Sequence, residues 1–570
     1  MKTPNSDFLT ERMDDLPLLL ALLQKLDLAA ILDRHLNPHG NRKGLSYGWL
    51  CVIWLAHILS RGDHRMNHVR ESVAQAIHTF AGSVPVSIQE LDFTDDRLAD
   101  LLHALSDEET WEAIETELNA HTLKVYELTT ETVRLDTTTV TVDTEPKGML
   151  RLGHSKDHRP DMPQVKMMLA SLDPLAMPLV TQVVAGNCAD DPLYLPAVEQ
   201  VRTSVNKRGL LYVGDSKMAS AKTRHGIAVG GDFYLTPLSA VGMPLAQLKT
   251  HWEPVLTEQQ PLVAVYRLDP KGERQLIAEG FEWSEIQEHD GFCWEERRLL
   301  MRSLSHQQSA SHALDRRLGE ACNALRKLGE RGKGKCSPST PEAFESAIEK
   351  TLTGHRVQGL ITYALNIATS ERTIRAYKGQ PERLETTYQM ALTCQIDLEA
   401  VEKEKAFLGC RVFVTNTPIT RLSLSEAVLA YRDEYRIESN FARLKGQSLS
   451  VSPMYLQRQD HMQGLMCLLS IGLRVLTLLE YVVRKALAQT GTSLSGLYAG
   501  NAKRSTTQPT AELLLEAFQN ITLLLLPQNG DYIRYLNALT GLQQKILELS
   551  GCSAGLYVRL TTQFGISPEK

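Results

Sequence analysis

The sequence of 570 residues lacks the patterns of a zinc-finger, disulfide-stabilised or membrane-spanning protein. Its nine cysteines lie at irregular positions and none belongs to a C-x-x-C pair. We therefore expect no zinc site and no disulfide framework, and a reducing cytoplasm suits the chain. Two apolar runs, residues 45–59 and 464–479, are shorter than the roughly 20 residues of a membrane span. Both predict buried helices, although the second contains Arg474.

The chain also has little excess of one charge sign over the other, because its net charge is only −6 and its pI about 6.3. Such a balance argues against a protein that coats nucleic acid indiscriminately. Two stretches are nevertheless basic. Residues 147–166 hold five Lys or Arg against two Asp, and residues 201–224 hold six against one. They predict a local surface for a phosphate backbone, with ordinary solvated surface as the alternative for each stretch alone.

Changes in periodicity divide the chain into five parts. The first and last are expected to be helical, the second and fourth to form one α/β core, and the third to be a β-rich insertion. In chain order they are residues 1–125, 126–240, 241–404, 405–490 and 491–570. Helices are expected at residues 510–526 and 532–549 of the last part. Within the insertion, His289-Asp290-Gly291 predicts a hairpin turn.

Two aspartates follow apolar segments in the second part. Residues 132–143 predict a strand, a tight turn and a second strand, with Asp136 at the end of the first. Residues 165–172 and 178–184 predict further strands in an antiparallel meander. Residues 209–214 predict a buried strand that ends at Asp215. Neighbouring strand ends would bring the two carboxylates together, where a divalent cation offsets their repulsion. The alternative is that each aspartate only caps a helix or turn.

The stretch from Ser423 to Lys445 combines a helix start with two faces. Ser423 and Glu426 form an S-x-x-E capping box. One face is apolar, and Tyr431, Glu438 and Lys445 follow at seven-residue intervals, so they are expected to stack along the other. A carboxylate with a cation two helical turns away suits the binding of a metal ion next to a phosphodiester. An ordinary amphipathic helix with a solvated face is the alternative, and pattern alone favours it.

As an ordered set, these features resemble the DDE transposases of bacterial insertion sequences. The resemblance is to the cut-and-paste group with a β-strand insertion before the glutamate. Its C-terminal signature is Tyr, two residues, Arg, three residues, Glu, six residues, Lys. Tyr431, Glu438 and Lys445 match it, but Glu434 stands in the arginine position. The segments GHSKDHRPDMPQ, VVAGNCADD and YVGDSKMAS between the two aspartates also resemble the family.

The resemblance implies an α/β fold, with an RNase H-like core interrupted by a β-rich insertion domain and helical terminal regions. It implies metal-dependent cleavage at terminal inverted repeats and strand transfer into target DNA. Asp136, Asp215 and Glu438 would be catalytic and would hold two Mg²⁺ or Mn²⁺ ions. Tyr431, Arg436, Lys445 and Lys217 would contact DNA. Residues 1–125 would read the transposon ends, and a homodimer would form on DNA, in the cytoplasm at the nucleoid.

Three alternatives remain open on the sequence. The first is a metal-dependent RNase H-like nuclease or an inactive relative that only binds DNA, and Glu434 in place of arginine keeps it open. The second is a glycoside hydrolase with a carboxylate pair. The low aromatic content of 6% and the basic residues around Asp215 oppose that reading. The third is a DNA-binding protein without catalysis, which metal-dependent cleavage would distinguish.

Overall fold

The computed structural model describes residues 8–37, 43–269, 272–330, 338–375, 381–452, 454, 456–528 and 531–561. These residues fall into two units. Unit 1 is made of the described parts of Met1–Thr236, Gln287–Trp294 and Ala430–Lys570. Unit 2 is made of those of Pro237–Ile286 and Glu295–Leu429.

The N-terminal region of unit 1 is mainly helical, as expected. Its elements are β1 (Leu9–Arg12), α1 (Leu16–Lys25), α2 (Leu28–His35), α3 (Tyr47–Arg61), α4 (Met66–Gln75), α5 (Ile77–Ser83), a 3₁₀ turn (Glu90–Phe93), α6 (Asp95–Leu105) and α7 (Glu108–Val125). The predicted buried helix at residues 45–59 is confirmed as α3. The Ser46 side chain caps it by accepting the Trp49 N–H, and Gly62 ends it with a φ of 63°.

The core of unit 1 follows with strands and two helices. They are β2 (Thr132–Thr141), β3 (Gln164–Leu172), β4 (Met177–Ala185), α8 (Asp191–Val205), β5 (Leu211–Gly214), α9 (Ala221–Val229) and β6 (Phe233–Pro237). The strands are neighbours in the order β4-β3-β2-β5-β6. The first two pairings are antiparallel and the last two parallel. This is the arrangement of an RNase H-like core, so the predicted fold class is confirmed.

One local prediction in this core is wrong. Residues 132–143 do not form two strands with a turn between them, because β2 runs unbroken from Thr132 to Thr141. Its β-branched residues all fit a strand that is buried along most of its length. Asp136 therefore lies in the middle of β2 rather than at its end.

Unit 2 contains helices as well as strands. Its elements are α10 (Leu245–Leu256), β7 (Val263–Leu268), β8 (Arg274–His289), β9 (Phe292–Ser303), α11 (Leu304–Gly329), α12 (Pro341–His355), β10 (Ile361–Ile374), β11 (Arg383–Ile396), α13 (Leu398–Lys405) and β12 (Cys410–Thr415). The strand order is β12-β9-β8-β7, and β10 and β11 form a separate hairpin. Leu314, Leu325 and Phe344 belong to the buried cluster that packs the two long helices against this hairpin. The tip of the β8–β9 hairpin, residues 287–294, belongs to unit 1.

The C-terminal part contains α14 (Leu424–Arg432), α15 (Tyr435–Lys445), α16 (Gln459–Thr490), β13 (Leu494–Ser495), β14 (Ser505–Thr506), α17 (Ala511–Glu516), β15 (Thr522–Gln528), β16 (Asp531–Leu536), α18 (Gly541–Leu549) and α19 (Gly555–Val558). The helices predicted at residues 510–526 and 532–549 are therefore only partly correct. β15 and β16 form a three-stranded sheet with β1. The burial of β15 alternates, but its run of leucines hides that period from the sequence.

Helix α16 is the core helix predicted from residues 464–479. Its length and composition would allow it to cross a membrane, yet 89% of its most apolar stretch is buried inside the protein. Arg474 is also buried, and its guanidinium donates to the Asn119 Oδ1 at 2.7 Å. Burial lowers the pKa of Arg474 to about 10, which the nearby Glu115 carboxyl partly opposes.

Candidate active site

Strands β2 and β5 bring Asp136 and Asp215 side by side. The two strands are parallel neighbours, and Leu135 pairs with Gly214. One step further along this register, Asp136 stands next to Asp215. Side chains at paired positions of parallel strands point to the same face of the sheet. The register agrees with the expectation that the two aspartates stand on neighbouring strands, but Asp136 lies within its strand and not at its end.

Asp136 is held by a lysine from the following loop. The Lys156 Nζ lies 2.9 Å from the Asp136 Oδ1 and also donates to the Thr137 carbonyl at 2.5 Å. The same Oδ1 accepts the Thr137 N–H at 2.7 Å. Burial raises the pKa of Asp136, and the negative charge of Asp215 adds to the rise while Lys156 opposes it. A carboxylate in this setting gains from any further cation that approaches it.

Asp215 is fixed by a buried tyrosine that sequence reasoning missed. The Tyr194 hydroxyl, on α8, donates to the Asp215 Oδ1 at 2.6 Å, and the Lys217 N–H donates to the same oxygen at 2.9 Å. Gly214 leaves room for the phenol ring, since an added Cβ would lie 3.2 Å from a Tyr194 ring carbon. Burial and the neighbouring aspartates raise the pKa of Tyr194, so the hydroxyl remains a donor. The signal in the sequence was a tyrosine on the same helical face as Val198 and Val201.

The predicted continuous helix over residues 431–445 is wrong, because it breaks between α14 and α15. The capping box at its start is confirmed: the Ser423 N–H donates to the Glu426 carboxylate at 2.8 Å, and the Glu426 N–H donates to the Ser423 hydroxyl at 3.3 Å. At the break, the Glu434 N–H donates to the Tyr431 carbonyl at 3.1 Å. This tighter i to i+3 bond changes the phase of the helix. Tyr431 and Glu438 consequently lie on two different helices.

The break turns Glu434 toward the aspartates. Glu434 is half-buried and lines a small cavity together with Asp136, Tyr431 and Ile437. Burial raises the pKa of Glu434; the negative charges of Asp136, Glu438 and Asp215 also raise it, and a hydrogen bond with Tyr431 opposes the rise. The residue at the family's arginine position is thus a fourth carboxylate in the same electrostatic field. The sequence shows that Glu434 replaces the family's arginine, but not that its side chain faces the aspartates.

Glu438 lies one helical turn beyond Glu434, in the first turn of α15, and its side chain is exposed. Ile437, Phe441 and Leu444 are buried, which confirms the predicted apolar face of this helix. We call Asp136, Asp215, Glu434 and Glu438 the acidic cluster. Within it, Glu438 lies on the solvent-exposed side and Glu434 on the half-buried side.

The residues predicted to contact DNA differ in how they are engaged. The Lys445 Nζ lies 2.5 Å from the Asp157 Oδ1. The Arg436 guanidinium donates to Asp433 at 3.0 Å and to the Pro174 carbonyl at 2.8 Å. Tyr431 is half-buried at the cavity, whereas the Lys217 side chain is exposed. In this structure Lys445, Arg436 and Tyr431, which hydrogen-bonds with Glu434, are therefore engaged by other groups of the protein.

Part of the basic surround is also used internally. The Lys166 Nζ lies 2.5 Å from the Asp190 Oδ1, and the Arg202 Nε lies 2.5 Å from the Asp232 Oδ2. Both cations are buried or nearly so. The two basic stretches of the sequence thus contribute fewer charges to the surface than their composition indicates.

The acidic side chains are a fitting donor set for a hard cation. Carboxylate oxygens are the ligands that Mg²⁺ and Mn²⁺ prefer. The Glu434 carboxyl interacts with those of Asp136, Asp215 and Glu438, and the ammonium of Lys156 already marks a place where positive charge is held. Among the described residues, the only three ligand groups whose atoms lie within 4.8 Å of one another are those of His225, His289 and Asp290. The acidic residues are spread more widely, so binding a metal ion requires them to move inward.

The family model for the transposase DDE domain matches residues 128–474. This stretch covers more than half of the chain and contains every acidic residue of the cluster. The chain belongs to the DDE transposase family. Enzymes of this family cleave and join DNA and use divalent metal ions, so the resemblance stated from the sequence is confirmed.

Among solved structures, the chain is similar to the piggyBac transposase in a synaptic complex with hairpin DNA. The two share 7% sequence identity, with a TM-score of 0.33, over 90% of this chain and 82% of the other. No curated protein matches the sequence.

Proposed function

We propose that the protein catalyses cut-and-paste transposition, by metal-dependent cleavage of DNA at terminal inverted repeats followed by strand transfer into target DNA. The observation that carries the proposal is the parallel register that sets Asp136 beside Asp215, with Glu434 facing them from the α14–α15 break and Glu438 one helical turn further on. Family membership provides the reaction class. The acidic cluster provides a place within the fold where that reaction can occur.

Asp136 and Asp215 are proposed to hold the metal ions together with Glu438. When bound, two such ions activate the attacking oxygen and stabilise the leaving one. The chain's own task is to keep the carboxylates aligned. Tyr194 fixes one oxygen of Asp215, and Lys156 holds Asp136 until a metal ion replaces its charge.

The proposed reaction has two stages on the same carboxylates. Water first attacks the phosphodiester at the transposon end and frees a 3′ hydroxyl. This hydroxyl then attacks either the opposite strand, which gives a hairpin, or a phosphodiester of the target. Lys217, Lys445, Arg436 and Tyr431 are proposed to contact DNA. Lys445 and Arg436 must then exchange their present partners, Asp157 and Asp433, for phosphate.

The partners and place of action follow from the same proposal. Residues 1–125 are proposed to bind the transposon ends, and a homodimer to hold two ends together. Residues 241–404 are proposed as an insertion between the two parts of the core. The reaction would take place in the cytoplasm, at the nucleoid.

Cleavage of a labelled duplex that carries the element's own terminal repeat tests this function. We expect cutting at the repeat tip with Mg²⁺ or Mn²⁺, no cutting with EDTA, and no cutting by Asp136→Asn. Asp161→Asn serves as the matched control, since Asp161 is an exposed carboxylate paired with Arg159 at 2.9 Å in the loop that carries Lys156. Cutting that survives Asp136→Asn would overturn the site.

The second candidate is an inactive or nuclease-only relative, and Glu434 is the specific observation that favours it. A fourth carboxylate replaces a cation at the cavity and adds negative charge where phosphate must approach. Binding of the repeat without cutting in either metal would support the inactive relative. Cutting without strand transfer to a target duplex would support the nuclease.

A further inference from the structure

A second group of metal-ligating side chains lies outside the acidic cluster. His225 belongs to α9, whereas His289 and Asp290 lie at the turn of the β8–β9 hairpin. One ligand atom from each residue comes within 4.8 Å of the other two. All three residues belong to unit 1. Because they come from two separate elements, a shared ligand would join the hairpin tip to α9.

The local sequence explains why the hairpin presents its side chains here. Asp290 and Gly291 have φ values of 47° and 77°. Positive φ at both central positions is the geometry of a type I′ turn, which favours Asp-Gly. The turn carries the Asp290 carboxylate beside the His289 ring, with the His289 Nε2 3.6 Å from the Asp290 Oδ2.

The packing around His225 keeps the imidazoles close together. The His225 and His289 ring centroids lie 4.9 Å apart, with the planes at 62°. Phe292 and Trp294 pack against the other sides of His225, at 5.9 Å and 6.1 Å. The Trp294 Nε1–H donates to the Tyr234 hydroxyl at 2.8 Å, which fixes the indole. Phe292 and Trp294 therefore hold the His225 imidazole in place, while the exposed Asp290 side chain is able to rotate.

We infer that His225, His289 and Asp290 form a binding site for a zinc-class divalent ion that fastens the hairpin tip to α9. Two imidazoles and a carboxylate are the three protein ligands of many tetrahedral zinc sites, and the fourth position is left for water. Ligand atoms in such a site stand roughly 3.3 Å apart, given Zn–N bonds of ~2.0–2.1 Å. Closing from 4.8 Å requires small rotations of these half-buried or exposed side chains.

This site differs in chemistry from the acidic cluster and does not depend on the proposed function. Imidazole nitrogen selects zinc-class ions, whereas a set of carboxylates selects Mg²⁺ or Mn²⁺. The missing C-x-x-C pairs predict no zinc site, but that pattern does not detect histidines that are distant in sequence. His225 and His289 are separated by 64 residues, so only the fold shows their proximity.

Zinc binding to the full-length protein in excess Mg²⁺ tests the site, because Mg²⁺ occupies the oxygen ligands. Zn²⁺ is titrated against a chromophoric chelator to give the number of sites and their Kd. We expect Asp290→Asn and His225→Phe each to lose one site or to weaken it at least about 100-fold, since even outer-shell changes cost about 10–100-fold. Asn-Gly is a preferred type I′ pair, and phenylalanine retains the ring packing, so both variants should fold.

Two control variants separate this site from other zinc binding. His251→Phe removes an imidazole that also packs on an indole, that of Trp283, at 4.4 Å. Cys293→Ser removes the exposed thiol next to the hairpin turn. Both should bind as much zinc as the wild type. The inference is overturned if Asp290→Asn and His225→Phe bind zinc like the wild type, or if Cys293→Ser alone loses the site.

Thermal unfolding gives a second, independent measurement. Zn²⁺ should raise the Tm of the wild type and of both controls, because a ligand that binds only the folded state stabilises it. It should not raise the Tm of Asp290→Asn or His225→Phe. Equal zinc-dependent shifts in all five proteins would show that the three residues form an aromatic and turn contact only.

Discussion

The two halves of the acidic cluster are built in different ways. The aspartates stand on neighbouring parallel strands, where the register sets their separation and Lys156 and Tyr194 hold their oxygens. The glutamates come from the break between α14 and α15, where one residue more or less of helix changes which carboxylate faces inward. Strand pairing thus fixes half of the site firmly, whereas the helix break leaves the choice between Glu434 and Glu438 to local backbone geometry.

The largest expected effect comes from Asp136 and Asp215, which form the strand half of the acidic cluster. Asp136→Asn and Asp215→Asn should each lower the rate of repeat cleavage by at least about 10³-fold. A lost metal contact removes several kcal/mol of transition-state stabilisation, and about 4 kcal/mol corresponds to that factor. Cleavage rates under single-turnover conditions give the measurement, with Asp161→Asn as the control. If only one of the two substitutions abolished cleavage, the strand half would no longer act as one unit.

Glu434 and Glu438, which form the helix half of the acidic cluster, are tested by comparing two isosteric substitutions. We expect Glu438→Gln to lower cleavage about 100-fold or more, and Glu434→Gln to lower it less than about tenfold, because Glu438 matches the family signature. The same single-turnover assay measures both. The reverse order would assign the metal-binding role to Glu434, which already faces Asp136. Glu434→Arg, which supplies the family residue, then shows whether a cation at this position increases strand transfer.

The contrast between the halves also explains what the sequence predicted. The apolar segments before Asp136 and Asp215 predict that both aspartates stand on neighbouring strands, but they do not predict that these strands are parallel or that Asp136 lies within its strand. Lys156 and Tyr194 were not found, since the loop and helix that carry them become neighbours of the aspartates only after folding.

Other parts of the fold were predicted less well for local reasons. The break at Asp433 and Glu434 contains no proline or glycine, so nothing in the sequence marks it. The sequence of strand β15 also predicts a helix, because its four consecutive leucines satisfy both the helical and the strand period. In both places the tertiary setting decided between structures that the local sequence permits equally.

Lys156→Met should strengthen metal binding by the strand half, because it removes the cation that now pairs with Asp136. The ammonium occupies part of the space and supplies part of the charge that a metal ion would supply. We expect Mn²⁺ to bind about tenfold more tightly, which corresponds to about 1.4 kcal/mol. Titration of the metal-free protein by calorimetry measures this change. Weaker binding would mean that Lys156 positions Asp136 rather than competing with the ion.

The pH dependence of this binding has a defined sign. Burial raises the pKa of Asp136 above the usual 3.8, and a protonated carboxyl cannot bind the ion. Mn²⁺ affinity should therefore fall as the pH is lowered through the raised pKa, at a higher pH than a solvent-exposed aspartate would give. Because Lys156 opposes the rise, the fall should begin at a still higher pH in Lys156→Met. An unchanged pH profile in the variant would separate Lys156 from the ionisation of Asp136.

Tyr194→Phe should have the smallest effect, because it removes one hydrogen bond and leaves both aspartates in place. The phenol donates to the Asp215 Oδ1 at 2.6 Å, and hydrogen bonds to charged groups contribute roughly 1.5–3 kcal/mol. Since the Lys217 N–H still donates to the same oxygen, we expect only a three- to tenfold loss of cleavage, which corresponds to about 0.7–1.4 kcal/mol and lies below that range. A positioning role predicts that the Mn²⁺ concentration for half-maximal cleavage rises, and that saturating metal restores most of the rate. A rate that stays low at saturating metal, with unchanged half-saturation, would instead place Tyr194 in the chemical step. In that case the strand half would contain a residue beyond its metal-binding carboxylates.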